Sequence, residues 1–563
     1  MRVLGIEGTA WCASAALYDA ETDTVLIESD PYEPDSGGIH PREAAEHMSD
    51  AIPAVIDQVL AAANAAHGPD AIDAVAFSRG PGLGPCLRTV GTAARALAGA
   101  LDVPLVGVNH MVAHLEIGRH QSGFEDPVCL NASGANAHLL GYHEGRYRVL
   151  GETMDAGVGN AIDKFTRHLG WSHPGGPKVE AAASRAIEDT VDGTLESVEL
   201  VDLPYVVKGM DFSFSGISSA ANDAADDGVP VDQLCFALQE HVFAMLTEVT
   251  ERALSLTGAS EVVLGGGVAQ NARLREMLST MCAARGVEWF APDSRFLRDN
   301  AGMIAVLGAK MAAAGDTLAI EDSAINPNFR PDQVPVTWRA EDTSVVGDRK
   351  TATHKGAEAT IEVVTGADTV TETDARRVVK RRVPKEYRHP QLDRALRQSR
   401  TITEARLTSE ARRAGVWTPL VYDVDVPNAT LTLQHVGRCD LAADLDDRWT
   451  RSVGRQLARL HDAGMVHGDP TTRNVRIGRS QDAKSNTAHP RDPTALIDFG
   501  LAFHTGHVED HAMDLHVFEG SIRATAVDPE PLVEAFEAGY AEAGTAAVLD
   551  RLADVKGRGR YQS

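Results

Sequence analysis

Through the first half of the chain, short apolar runs alternate with longer stretches in which apolar residues recur at helical spacing. Val3-Leu4-Gly5-Ile6 is a strand-like run closed by Glu7-Gly8-Thr9, and residues 12–18 read as its hairpin partner. Residues 44–66 are amphipathic with a helical period, 74–77 form a strand entering the turn Arg79-Gly80-Pro81-Gly82, 89–100 read as a helix and 105–108 as a strand. The theme returns with a helix over 231–257, the strand Val262-Val263-Leu264, a Gly-Gly-Gly turn and a helix from Asn271. Two such halves predict a pair of α/β lobes around a cleft, with ligands near strand ends and turns. Residues 327–353 carry prolines and an acidic stretch without sustained periodicity and are expected to be a linker. Beyond it, 359–364 and 375–380 alternate as strands, 402–414 has a helical period, and hydrophilic 479–493 reads as a surface insertion. The pattern thus divides the chain into a domain over 1–326, the linker, and a smaller domain over 354–563.

A length of 563 residues exceeds what one core usually supports, and 43% apolar residues suffice for more than one. The six cysteines are scattered, which suits a reducing cytoplasm and argues against a disulfide framework or a four-Cys zinc site. Met1 leads straight into a strand, leaving no room for a signal peptide, and no run of 18 apolar residues offers a membrane span. The net charge of −27, with only ten Lys, matches the composition of salt-in halophiles, where molar salt screens self-repulsion. Against this acidity stands one basic run of thirteen residues, Arg376 to Arg388, expected either to touch a nucleic acid or to line a nucleotide site or domain interface.

Two motifs near the C-terminus carry chemistry. Val466-His467-Gly468-Asp469-Pro470-Thr471-Thr472-Arg473-Asn474 is followed by Leu496-Ile497-Asp498-Phe499-Gly500. An Asp, an Asn five residues on and an Asp-Phe-Gly form the phosphoryl-transfer layout of protein kinases. Asp469 would accept a hydroxyl proton, and Asn474 and Asp498 would hold Mg on the phosphates of ATP. Lys380 stands where the nucleotide-binding lysine belongs, with Glu404 as its ion-pair partner, and Gly356, Ala357, Glu358 and Ala359 replace the usual glycine-rich loop. No Ala-Pro-Glu follows, and the remaining residues are too few for a full peptide-binding lobe.

The first domain carries a different set. His110 and His114 lie four residues apart, a spacing that puts both imidazoles on one helix face for a metal. Met111 stands where a zincin peptidase needs its Glu, which argues against a protease. Four glycine-rich turns (131–136, 157–164, 173–180 and 265–271) offer backbone N–H groups for a nucleotide, with Asp163 and Glu180 placed for hydroxyls.

Gly5-Ile6-Glu7-Gly8-Thr9-Ala10, the His pair, Ser133-Gly134, Gly157-Val-Gly-Asn-Ala-Ile-Asp163, Pro174-Gly-Gly-Pro177, Asp211-Phe-Ser-Phe-Ser-Gly216 and Asp299-Asn-Ala-Gly-Met-Ile-Ala305 resemble the archaeal and eukaryotic tRNA threonylcarbamoyltransferase family. The resemblance spans about residues 1–325. It implies an α/β, two-lobed actin/Hsp70-like (ASKHA) domain. It also implies transfer of a threonylcarbamoyl group from threonylcarbamoyl-AMP to the adenosine 3′ of the anticodon, in tRNAs reading codons that begin with A. By the same resemblance His110, His114 and Asp299 are metal ligands, for Fe with Zn as the alternative. Asn131, Ala132, Ser133, Gly134, Ala135, Asp163, Gly176, Glu180 and Asn271 hold the adenylate. The family's usual Tyr ligand is replaced here by Asn131, a poorer donor.

The C-terminal set, with Tyr387-Arg-His-Pro-Gln-Leu-Asp393 and Glu509-Asp-His-Ala-Met-Asp-Leu515, resembles the small α+β, Rio-like kinase/ATPase of the KEOPS complex. That implies ATP and Mg as cofactors and the other small KEOPS subunits as partners. Pro470 departs from the usual Leu after the catalytic Asp, but the Asp469–Asn474 spacing is kept. The alternative reading is a Ser/Thr protein kinase whose Hsp70-like N-terminal domain binds nucleotide without catalysis.

Overall fold

The computed structural model describes residues 1–32, 39–134, 136–143, 145–339, 356–364, 376–478 and 494–557. Strands β1 (Arg2–Glu7), β2 (Cys12–Asp19) and β3 (Thr24–Pro31) form a meander; α1 (Pro41–His67), β4 (Ala74–Gly80), α2 (Gly84–Leu101) and β5 (Leu105–Asn109) follow. The sheet order is β3-β2-β1-β4-β5, with β1, β4 and β5 parallel. After α3 (His110–Ser122) come a second meander of β6 (Val128–Ala132), β7 (Ala137–His143) and β8 (Arg146–Glu152), then α4 (Val158–His168) and α5 (Gly176–Glu188). A short hairpin, β9 (Val207–Lys208) and β10 (Asp211–Phe212), precedes α6 (Ser215–Asp226), α7 (Val231–Thr257), β11 (Glu261–Gly265), α8 (Ala272–Arg285), β12 (Glu288–Phe290) and α9 (Ala301–Ala313). The second sheet, β8-β7-β6-β11-β12, repeats the order of the first: a three-strand meander with two parallel strands added to its first strand. This duplicated mixed sheet is the two-lobed α/β layout expected from the sequence.

The parallel strands are buried on both faces and so read as continuous apolar runs rather than alternations. Helix α9 is buried over 301–309 and lies across β1 and β4. Gly5 makes that approach possible, because a Cβ there would sit 2.5 Å from the carbonyl oxygen of Ala301. The contact sets the loop before α9, which carries Asp299, beside the end of β1, which carries Glu7.

Residues 327–339, expected within the linker, belong instead to the first domain's packing. Val334, Val336 and Trp338 join its core, Trp338 stacks on Tyr147 with ring centroids 6.3 Å apart, and the Arg339 guanidinium lies 3.6 Å from the Tyr142 ring centre. Apolar residues in a polar stretch escaped the periodicity. Residues 340–355 lie outside the described residues, as does the insertion at 479–493.

The second domain opens on an antiparallel sheet of β13 (Ala359–Val364), β14 (Arg377–Arg382), β15 (Val421–Asp425) and β16 (Thr430–Gln434), ordered β13-β14-β16-β15. Helix α10 (Pro390–Arg413) lies beside it, and α11 (Asp447–Asp462), α12 (Val508–Thr525), α13 (Glu530–Ala541) and α14 (Ala546–Gly557) build a helical lobe around Leu457, Phe518 and Phe536. Helix α10 starts twelve residues before the periodicity at 402, with Pro390 in its first turn and the His389 ring accepting from the Gln391 N–H at 3.3 Å. Its buried residues include Asp393, Arg400, Thr401 and Glu404, so a search for an apolar stripe misses it.

The domains meet on α7, which is buried nearly from end to end, including Glu248 and Glu251. Across the interface Glu248 accepts from Arg388 at 2.7 Å and Arg400 at 3.0 Å, and Glu251 accepts from Lys385 at 2.6 Å and the Tyr387 hydroxyl at 3.2 Å. The basic run is therefore split. Arg382, Lys385 and Arg388 turn inward, whereas Arg377 and Arg381 are exposed. Glu248→Ala would leave Arg388 buried without its nearest carboxylate and Arg400 with Glu358 alone, and is expected to lower stability by about 3–5 kcal/mol. Denaturation at fixed high salt measures this, and an unchanged midpoint would show that the two guanidiniums find water instead.

Candidate active sites

Asn109 ends β5 and caps α3, its side chain accepting from the Val112 N–H at 3.1 Å, which fixes the first turn of the helix carrying both histidines. Asn300 caps α9 in the same way through the Met303 N–H at 3.1 Å and so places Asp299. Asp299 Oδ1 lies 3.4 Å from His110 Nε2 and 3.2 Å from His114 Nε2, and one ligand atom from each of the three falls within 4.8 Å of the others. Two imidazoles and a carboxylate so gathered suit a divalent ion.

Glu7, which the sequence marks only as part of a motif, organises this group. Its Oε2 lies 3.1 Å from His110 Nδ1 and takes the Ser78 hydroxyl, while its Oε1 accepts from Thr9 N at 2.8 Å and Thr9 Oγ1 at 2.6 Å. A carboxylate on Nδ1 holds the ring and directs Nε2 at the metal position. The available signal was an acid inside an otherwise apolar strand end. Burial works against a charged His110, but Glu7 and Asp299 override it and lift the group to about 10. Burial instead dominates His114 and lowers it. Asp299 is held below the usual carboxylate range in spite of burial, by His110 and then His114. Asn131 lies on β6 with its side-chain oxygen buried, without a hydrogen-bond partner, and turned toward Gly265 and Gly266.

Three helix starts converge on the glycine turns. The Ser133-Gly134 turn receives the Gly159 N–H at 3.2 Å and the Asn160 N–H at 2.8 Å from the start of α4, and a Cβ on Gly159 would lie 2.6 Å from the Gly134 Cα. Asp163 accepts from the Gly175 N–H at 2.7 Å before α5, where Gly176 is open. Glu180 accepts from the Ala272 N–H at 2.9 Å at the start of α8, and Asn271 caps that helix while donating to Gln239 of α7 at 3.3 Å. Helix N-termini gathered around open glycines make an anion cradle. Ala132 ends β6 in the core beside this turn, and Ala135 lies outside the described residues.

In the second domain Lys380 Nζ sits 2.9 Å from both Glu404 oxygens and 2.6 Å from Asp498. Asn474 donates to the Asp469 side chain at 3.0 Å and to its carbonyl at 2.9 Å. Asp514 anchors the loop by accepting the His467 and Gly468 N–H groups, each at 2.8 Å. Of the predicted nucleotide-loop residues, Gly356 closes the turn by donating to the Ala359 carbonyl at 3.0 Å, and the Ala357 carbonyl takes Lys385. Glu358 is turned away from a nucleotide role, because its carboxylate is ion-paired to Arg400 and Arg252. Two residues were missed. Arg382 is a second cation on Glu404 at 2.6 Å, and Arg252, from α7 of the first domain, donates to Asp469 at 2.8 Å. Local sequence could not reveal a contact 217 residues apart. Burial raises Asp469 to about 7, with Asp498 and Glu358 adding to the rise and Arg252 opposing it.

Fold and sites together define a two-lobed α/β protein with a His-His-Asp group beside a nucleotide-type cradle, joined to a second domain with its own acidic site. A family model for tRNA N6-adenosine threonylcarbamoyltransferase matches residues 22–306. Probable bifunctional tRNA threonylcarbamoyladenosine biosynthesis proteins match end to end. The one from Haloquadratum walsbyi is 64% identical over 563 residues, covering all of both chains. The one from Halobacterium salinarum is 66% identical, covering all of this chain and 99% of the relative, and that of Methanospirillum hungatei is 47% identical over 99% of each. The chain belongs to the family of tRNA N6-adenosine threonylcarbamoyltransferases.

Because His110 must lose its proton to ligate, loading with Fe(II) or Zn is expected to release a proton and to tighten as pH rises toward about 10. His114→Ala should abolish stoichiometric loading. Titration with proton counting tests both, and pH-independent loading would place the metal elsewhere.

Proposed function

We propose that the first domain transfers the threonylcarbamoyl group of threonylcarbamoyl-AMP to the exocyclic amine of the adenosine 3′-adjacent to the anticodon, in tRNAs reading codons that begin with A. The convergence of the His-His-Asp group and the glycine cradle, in a chain of this family, carries the reading. His110, His114 and Asp299 would hold the divalent ion, Fe with Zn as the alternative, with Glu7 fixing the His110 ring. Such an ion supplies Lewis-acid polarisation of the acyl carbonyl when bound. The open Gly134 and Gly176 let a phosphate approach the backbone beside the starts of α4 and α5, and Glu180, tied at one oxygen by Ala272, offers the other to a ribose hydroxyl. The amine attacks the carbonyl carbon, its bond to the phosphate oxygen breaks, and AMP departs as the amine loses a proton. Working partners are tRNA, ATP and the small KEOPS subunits, in the cytoplasm. Mass spectrometry of tRNA nucleosides tests the reading: a strain carrying His114→Ala should lose the modified adenosine, and unchanged modification would sink it.

We read the second domain as a small Rio-like kinase fold working as an ATPase, with Lys380 on the phosphates and Asn474 and Asp498 on Mg. The Arg252–Asp469 pair favours this over protein phosphorylation. A guanidinium already occupies the carboxylate that would accept a protein hydroxyl, while a water molecule needs far less space. Arg252→Ala is therefore expected to let labelled γ-phosphate appear on protein, where the intact chain releases only inorganic phosphate. Asp469→Asn should abolish turnover in both forms. If Asp469 takes the proton, hydrolysis rises with pH through about 7. Since Arg252 opposes the rise of that group, the midpoint should move upward in Arg252→Ala; an unmoved midpoint would remove Asp469 from the step.

A further inference from the structure

We propose that Trp11 and Arg298 form the platform that receives the acceptor nucleotide of the tRNA at the mouth of the metal site. Between Val3 and Asp19 every residue is buried except Trp11, which is partly exposed at the turn between β1 and β2. A large aromatic ring is thus held at a rim, with its backbone fixed by the Tyr32 N–H donating to the Trp11 carbonyl at 2.6 Å. The exposed Arg298 lies over this ring, its guanidinium carbon 5.7 Å from the ring centre. Among the described residues Arg298 makes no ion pair, in a chain with 80 acidic residues against 53 basic ones.

The position of the pair is what gives it a task. Arg298 immediately precedes Asp299, and its stem passes 3.7 Å from where a Cβ on Gly267 would stand, at the edge of the Gly265-Gly266-Gly267 turn. Trp11 follows the Glu7–Thr9 turn, whose Glu7 holds His110 at 3.1 Å. The paired indole and guanidinium are thus anchored, one beside Asp299 and the other after the Glu7 turn, on the two segments that build the His-His-Asp group. The acceptor is the exocyclic amine of a purine in an RNA strand. It can meet the acyl carbonyl only if its base is splayed from its neighbours. Proteins hold unstacked bases on aromatic faces and guanidinium planes, and hold the adjoining phosphate with an unpaired cation. Trp11 would carry the purine ring and Arg298 the phosphate or the second ring face.

The inference rests on the transferase reading, so the unaltered full chain must first form the modified adenosine; its failure to do so would sink that reading rather than this one. With the unaltered chain active, initial rates are measured against tRNA at saturating threonylcarbamoyl-AMP, in molar salt, alongside metal content and adenylate affinity. Trp11→Ala is expected to lower kcat/KM for tRNA by about 10- to 100-fold, the range of one lost base stack. Metal content and adenylate affinity should stay unchanged, and Trp11→Phe should restore most of the rate. The exposed Arg298→Ala should raise the KM for tRNA and reduce the salt dependence of tRNA binding by about one phosphate contact. Unchanged kcat/KM for tRNA in both alanine variants would overturn the proposal. So would a loss confined to adenylate affinity or to metal content, which would assign the pair to those ligands.

Discussion

Glu248 sits in the middle of a helix that water does not reach, and a carboxylate in that position must be met by cations of equal reach. The sheet of the first domain covers one side of α7; on the other, Arg388 and Arg400 of the second domain join Arg252 of α7 on Glu248, and Lys385 joins Arg285 of α8 on Glu251. Separating the domains would therefore strip buried charges of both signs of some of their partners, a cost far greater than that of breaking surface pairs. In a chain of net charge −27 this has a further consequence. Molar salt quenches exposed pairs but reaches desolvated ones poorly, so the interface rests on the kind of electrostatic contact that survives such a medium.

The same helix joins the two candidate sites. Gln239, near its start, accepts from Asn271 of the glycine turn, and Arg252, near its end, holds Asp469 of the second candidate site. Arg273, just after Asn271, is paired to Glu240 of α7 at 2.7 Å and touches the Tyr387 carbonyl at 3.4 Å. Each site is thus within one side-chain contact of the helix on which the domains dock, and neither can shift far without moving a buried charge.

The metal group shows how a close backbone approach becomes chemistry. Gly5 lets α9 press on β1, which sets Asp299 near His110, while Glu7 at the end of the same strand takes the far nitrogen of that ring. The candidate ligands come from α3 and the loop before α9, the orienting carboxylate from β1, and a glycine turn from β11. A small residue, two helix caps and one buried acid fix four elements at once.

By itself the sequence determined what depends on local spacing. The strand runs of β1, β4, β5 and β11 could be read from apolar continuity, α1, α2 and α7 from period, and the His110/His114 pair from its four-residue separation. The catalytic-loop and Asp-Phe-Gly spacing likewise marked Asp469, Asn474 and Asp498, because short loops carry their own geometry. Only the tertiary structure decided what depends on contacts between distant residues. It drew 327–339 into the first core, began α10 at Pro390 behind a charged buried face, turned Glu358 from the nucleotide to two arginines, and revealed Glu7 on His110. Above all it set Arg252 on Asp469, since pairing across 217 residues is fixed by how two domains close over one buried helix and leaves no period or motif in the chain.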